Sequence, residues 1–154
     1  MRRLRISIVG VSLILAMSLL GATAPSAVAR GRQPDAYRQQ MLKATNHSRI
    51  THRTGRLSLN ARMSTLAQHH SAEMAKRGYL FHTSNVNTYL TGVSWHAWGE
   101  NVGYTQRGNV RDLEKAFMHS PVHRDNILNG AYKHLAIGTV SKDGVLWVTV
   151  FFYG

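Results

Sequence analysis

The chain has 154 residues, 44% hydrophobic and 17% charged, with 13 Gly, 3 Pro and no cysteine. That length suits one domain with an adequate core, and the composition excludes disordered, collagen-like and low-complexity classes. Without Cys there are no disulfides, no Cys-ligated zinc and no thiol nucleophile, and 19 Lys+Arg against 7 Asp+Glu leave a net charge of +12.

Met1 to Ala29 reads as a secretory signal: Arg2, Arg3 and Arg5 open it, an apolar stretch runs from Ile6 to Leu20, and small residues precede a cut after Ala29. Cleavage leaves 125 residues and removes three Arg, so the mature charge is +9. The alternative is an uncleaved anchor, but the apolar run is short and broken by Gly10 and several Ser. The sequence is therefore read as exported, with no transmembrane segment after signal removal.

Arg30-Gly31-Arg32-Gln33-Pro34 looks like a flexible lead-in. From Asp35 a helix is expected, with Tyr37, Met41, Leu42 and Thr45 on one face. A basic connector, Thr51 to Arg56, precedes a clearer helix. Asn60 can cap that helix, Met63, Leu66, Ala67, His70 and Met74 form its stripe, and Gly78 stops it. Tyr79 to Gly99 reads as a long, partly ordered loop carrying Trp95 and Trp98. Glu100 to Tyr104 suits a short strand, and Val110 to Met118 suits a helix with Leu113, Ala116 and Phe117 inward. Ser120-Pro121 reads as an N-cap followed by proline at the first helical position, opening a short helix through Leu128. His134–Ser141 and Val145–Phe152 form a hairpin around Asp143-Gly144. Helices first and antiparallel strands last point to an α+β layered domain.

Most of the seven carboxylates have plain structural explanations: Asp35, Asp112 and Glu114 lie near helix starts, Glu73 on an outer face, Asp143 in a turn, Asp125 at the surface. Glu100 differs, because it follows Trp95, Trp98 and Gly99, and a carboxylate in aromatic company is costly unless hydrogen-bonded, cation-paired or metal-bound. A structural carboxylate accepting backbone N–H groups is the competing reading. Among the histidines, His47, His52 and His69 read as surface, His134 as a sheet end and His70 as a satisfied core residue. His82 and the pair His119/His123 remain. Pro121 separates that pair, leaving only His123 in a first helical turn, where the positive helix end favours the neutral imidazole. A hydrogen bond that merely fixes the turn explains His123 equally well.

Several segments are similar to a known family. Asn46-His47-Ser48-Arg49, Leu57-Ser58-Leu59 and Leu66 to Ala75 resemble the opening of a bacterial CAP domain. This is the superfamily of cysteine-rich secretory proteins, antigen 5 and plant pathogenesis-related protein 1. The likeness continues through Phe81-His82-Thr83-Ser84, Gly99-Glu100-Asn101, Ser120 to Leu128, Ile137-Gly138 and Trp147-Val148-Thr149. It implies an α-β-α sandwich with a small antiparallel sheet between helical layers, over residues 37–154 after a lead-in at 30–36. It further implies a groove that in some members binds a divalent cation, often zinc, with His82, Glu100 and His123 at the matching positions. Eukaryotic members carry a second glutamate where this chain has Ser120 and a tryptophan where it has Phe117, and their strand histidine has no clear counterpart.

The resemblance and the charge together favour a secreted binding or interaction module, with an anionic cell-wall polymer or acidic lipid as partner. The alternative is a metal-assisted hydrolase, with His82 and His123 holding Zn²⁺ or another divalent cation and Glu100 as general base. Nucleophilic catalysis through Ser84 or Ser120 lacks the Gly-x-Ser-x-Gly elbow. Nucleic acid is not an expected partner, since the basic residues are scattered.

Overall fold

The computed structural model describes the backbone of residues 27–154 and the side chains from Asp35 onward. The expected signal segment falls largely outside the described residues. Along the described chain run α1 (Ala27–Thr51), β1 (Ser58–Leu59), α2 (Ala61–Arg77), α3 (Val86–Leu90), β2 (Trp98–Gln106), α4 (Val110–His119), α5 (Pro121–Leu128), β3 (His134–Lys142) and β4 (Val145–Tyr153).

The β3–β4 hairpin is the centre of the sheet. Asp143 and Gly144 both take positive φ, 51° and 77°, the geometry a two-residue hairpin turn needs. Pairing then runs from Lys142 opposite Val145 to His134 opposite Tyr153. Strand β2 joins the other side of β4 antiparallel, and β1 pairs parallel with β3, giving the order β1-β3-β4-β2.

Successive strand side chains alternate between faces, and here both faces are covered. Leu146, Val148, Val150 and Phe152 meet Met41 of α1, Leu113 and Phe117 of α4 and Ile127 of α5. On the opposite face, Phe151 and Tyr153 pack with Met63 and Ala67 of α2 and Tyr89 and Leu90 of α3, while Trp147 packs with Met74. This is the expected α-β-α sandwich. Helix α2 has the caps read from its sequence: Asn60 accepts the Met63 N–H at 3.0 Å, and Gly78 closes it at φ 76°. It lies so close to β3 that a Cβ on Gly138 would run into the backbone of Ala67.

Arg49 ties one layer together. It is 1% exposed, and its guanidinium donates to the carbonyls of Gly55 and Ile127 (both 2.6 Å), Asn129 (3.0 Å) and Tyr132 (3.4 Å). The cation thus satisfies the open carbonyls at the C-terminal end of α5, where a positive charge is favoured.

Four local expectations are corrected. Residues 30–36, read as a flexible lead-in, fall within α1 (Ala27–Thr51) despite Gly31 and Pro34. The stretch Tyr79–Gly99 contains α3, too short to show periodicity and held by burying Tyr89 and Leu90. Ala116 faces solvent, and β2 runs further at both ends than Glu100 to Tyr104. Among the described residues, no helix is long and apolar enough to cross a membrane.

Candidate functional site

Strand β2 is a sheet edge, and its two faces hold the two halves of the site. Register places Glu100 opposite Phe151, on the α2 face, and Asn101 opposite Val150, on the α5 face. Asn101 donates to the His123 carbonyl at 3.0 Å and accepts from Asn126 at 2.8 Å, while Asn126 also reaches the Glu100 carbonyl at 3.3 Å. A Cβ on Gly99 would overlap the Asn126 side chain, so that glycine permits the close approach of α5. The segments Gly99-Glu100-Asn101 and Ser120 to Leu128 are therefore one structural unit that seats His123 beside the edge.

Glu100 is only 6% exposed. Its Oε2 accepts from the Thr83 backbone at 3.0 Å and lies 2.8 Å from His82 Nδ1. A carboxylate only accepts, so Nδ1 of His82 donates in this contact. Its other oxygen, Oε1, is buried without a hydrogen bond, 3.5 Å from His70 Nδ1. His70 Nδ1 also lies 3.3 Å from the Thr149 hydroxyl, and its buried Nε2 has no partner. Edge-on packing against Phe81 at 5.0 Å fixes the ring.

The structure thus joins His82 and Glu100 directly. His123 sits close enough to His82 for their positive charges to oppose one another, and burial, the larger cause, also lowers its pKa. Its Nδ1 is 2.9 Å from Ser120 Oγ, and its ring tilts against Phe117 at 4.9 Å. Ser120 occupies the N-cap position with extended backbone, but its hydroxyl engages His123 instead of a helix N–H. His70 is the residue that the sequence reading missed. Its stripe position suggested an internally satisfied histidine, but the stripe faces the same sheet surface as Glu100. Burial lowers its pKa, the Glu100 charge opposes that shift and His82 reinforces it. Tyr89 is close by, its phenol pushed up by burial and by the Glu100 charge.

Imidazole and carboxylate are suitable zinc donors. Among the described residues, however, no three His, Cys, Asp or Glu side chains are grouped so as to hold a metal ion. In this arrangement Glu100 Oε2 is committed to His82 and Thr83, and the residues present do not form a ready metal centre.

Glu114 also departs from its reading as a plain first-turn acid. It is buried between α4 and α1, accepting from Thr45 at 3.1 Å. Burial raises its pKa, only partly offset by Ser48 and Thr45. Beside it, a cavity of about 900 Å³ opens between α1 and α4, lined in part by Lys43, His47, Val110 and Lys115, none of which belongs to the Glu100 cleft.

A family model described as "Cysteine-rich secretory protein family" matches residues 42–152. The uncharacterized protein YkwD of Bacillus subtilis is 30% identical over 137 residues, covering 84% of this chain and 49% of that protein. A second relative, the membrane protein YlbC of the same organism, is 28% identical with 32% of its length covered, so the chain spans about half or less of these relatives. Among solved structures, an extracellular SCP-domain protein from Bacillus anthracis superposes with a TM-score of 0.68 at 25% identity, over 85% of this chain and 45% of that one. An outer surface protein from Borrelia burgdorferi shares the fold, with a TM-score of 0.68 at 12% identity, over 77% of this chain and 92% of that one. On the family match and on the sandwich just described, the chain belongs to the cysteine-rich secretory protein (CAP) family.

Proposed function

We propose that this CAP domain is exported by its N-terminal segment and serves outside the cell as a binding module, with the Glu100–His82–His123 cleft as its ligand site. The observation that carries this reading is Glu100 itself: a buried carboxylate with one oxygen anchored beneath an exposed imidazole and the other without a hydrogen bond, 3.5 Å from His70 Nδ1. An unsatisfied buried polar group is costly, and a ligand that supplies the missing partner recovers that cost. The extracellular and outer-surface descriptions of the structural neighbours agree with export. The mature charge of +9 favours anionic surroundings such as a cell-wall polymer or acidic lipid headgroups.

Co-sedimentation of purified mature protein with isolated cell walls and with anionic vesicles tests the reading. Wild type should pellet with one of them and Glu100→Gln should pellet less; equal pelleting of both proteins at every salt concentration would refute a role for the cleft. Mass spectrometry of the secreted protein should place its first residue at Arg30.

Zn²⁺ or another divalent cation on His82, His123 and Glu100, with Glu100 as general base of a hydrolase, is the second reading. Only the donor types favour it. Metal content of wild type beside His82→Ala and His123→Ala separates the two: stoichiometric metal lost in both variants would establish the cation, and its absence would leave the hydrogen-bonding cleft.

A further inference from the structure

The sheet edge carries more than the histidine–glutamate cleft. Trp98, Glu100, Val102 and Tyr104 alternate along β2 onto one face, so Trp98 lies about 7 Å to one side of Glu100 and Tyr104 about 13 Å to the other. Trp98 is 42% exposed and Tyr104 53% exposed. Neither is loose. Trp98 stacks on Phe151 (5.9 Å, 6° between planes), which stacks in turn on buried Tyr89 (4.4 Å, 13°), and Tyr104 leans on Trp147 at 5.3 Å. Each exposed ring is backed by a core ring, so it presents its outer surface with little conformational freedom to lose on binding.

Glu100 lies between these rings along the strand, and its Oε1, 3.5 Å from His70 Nδ1, and His70 Nε2 are both buried without a hydrogen bond. A wholly apolar ligand would leave both unsatisfied. A phosphate would meet the Glu100 carboxylate at like charge, and an ammonium would face the excess positive charge of the chain. Hydroxyl groups suit both atoms, because one donates to a carboxylate oxygen and another either donates to or accepts from an imidazole nitrogen, as its tautomer requires. The ligand class that joins flat C–H faces to ring hydroxyls at such spacing is the saccharide. On the reading that this cleft is the ligand site, we infer that the β2 edge binds a sugar chain, one ring on Trp98, hydroxyls directed to Glu100 and His70, and a further ring toward Tyr104. Both polar atoms are closed to solvent, so entry of the hydroxyls requires a neighbouring side chain to move, and the His82 ring, 62% exposed and bonded to Oε2, is an adjacent group with room to do so.

Calorimetric titration of the intact mature protein with chitotetraose and with maltotetraose tests the inference, with poly-L-glutamate as an anionic polymer lacking rings. At least one neutral oligosaccharide should bind with little dependence on salt, since no charge pairing is involved. Trp98→Ala and Glu100→Gln should each weaken it about tenfold or more, Tyr104→Ala less, and Ile50→Ser on α1 not at all. Far-UV circular dichroism of each variant confirms that it is folded. Saccharide binding that survives Trp98→Ala, or no binding by either oligosaccharide, would overturn the inference. Salt-sensitive binding of poly-L-glutamate alone would remove the sugar and leave a binding module that acts through the chain's positive charge; wild type that takes none of these probes and no cell wall would remove both.

Discussion

Replacing Arg49 by Met should cost this domain a large share of its stability, through the helix that carries His123. The guanidinium makes three bonds of 3.0 Å or shorter, to Gly55, Ile127 and Asn129, and a longer one to Tyr132. Among the described residues no carboxylate pairs with it, and burial lowers its pKa, so the carbonyls alone offset its desolvation. Bonds from a charged donor contribute about 1.5–3 kcal/mol each, against several kcal/mol for burying the ion. Methionine fills the space but leaves three carbonyls buried and unmatched at about 1–3 kcal/mol each, partly offset by the ion's desolvation no longer incurred, for a net loss of about 3–5 kcal/mol. Set against a total of about 5–15 kcal/mol for a domain, that is close to the limit of tolerance. With a urea m-value of about 2 kcal/mol/M, the midpoint should fall by about 2 M. Arg49→Lys, which keeps the charge but has no planar fork, should recover part of the loss. Urea unfolding followed by tryptophan fluorescence measures both. A midpoint shift under about 0.5 M for Arg49→Met would show that water satisfies these carbonyls and that the clamp is not needed.

Gly138→Ala should be poorly folded or lose at least about 3 kcal/mol, because its Cβ meets the Ala67 backbone and not a side chain that can turn away; a thermal melt within a few degrees of wild type would refute this. The native state raises the pKa of Glu114, so its stabilising contribution is full below the ordinary glutamate range and is lost as pH rises through the folded value. Glu114→Gln should therefore be more stable than wild type at pH 8 and lose that advantage near pH 4, as urea midpoints at the two pH values will show. His70 and His123 have lowered pKa values, so the unfolded chain takes up protons first and stability falls as pH drops below about 6.5. Denaturation between pH 7 and 5 should show that decline in wild type and a shallower one in His123→Gln.

The layered fold was legible because its signals are local. Asn60 and Gly78 bound α2, Pro121 separates α4 from α5, and Asp143-Gly144 closes the hairpin, each through the chemistry of one or two residues. Glu100 was singled out by its company, and His82 and His123 by elimination among the histidines before the family resemblance matched all three; that His82 meets Glu100 is a long-range fact that no spacing encodes. His70 and Glu114 were misread for the same reason. Helical periodicity says which face turns inward but not what that face will meet, and both inward faces met an uncommon environment: a second buried polar group for His70, and Thr45 with Ser48 for Glu114. Ser120 obeyed its backbone expectation while its hydroxyl went to a side chain that sequence distance gives no reason to prefer over a helix N–H.

The most direct test of the central claim, that Glu100 organises a ligand cleft from His70, His82 and His123, is a heteronuclear NMR titration of the imidazole nitrogens with a soluble cell-wall digest. Those three rings should shift together at one saturable midpoint, and the shifts should vanish in Glu100→Gln, while exposed His47, His52 and His69 stay in place. Movement of the surface rings alone, or unchanged shifts in the Glu100 variant, would contradict it.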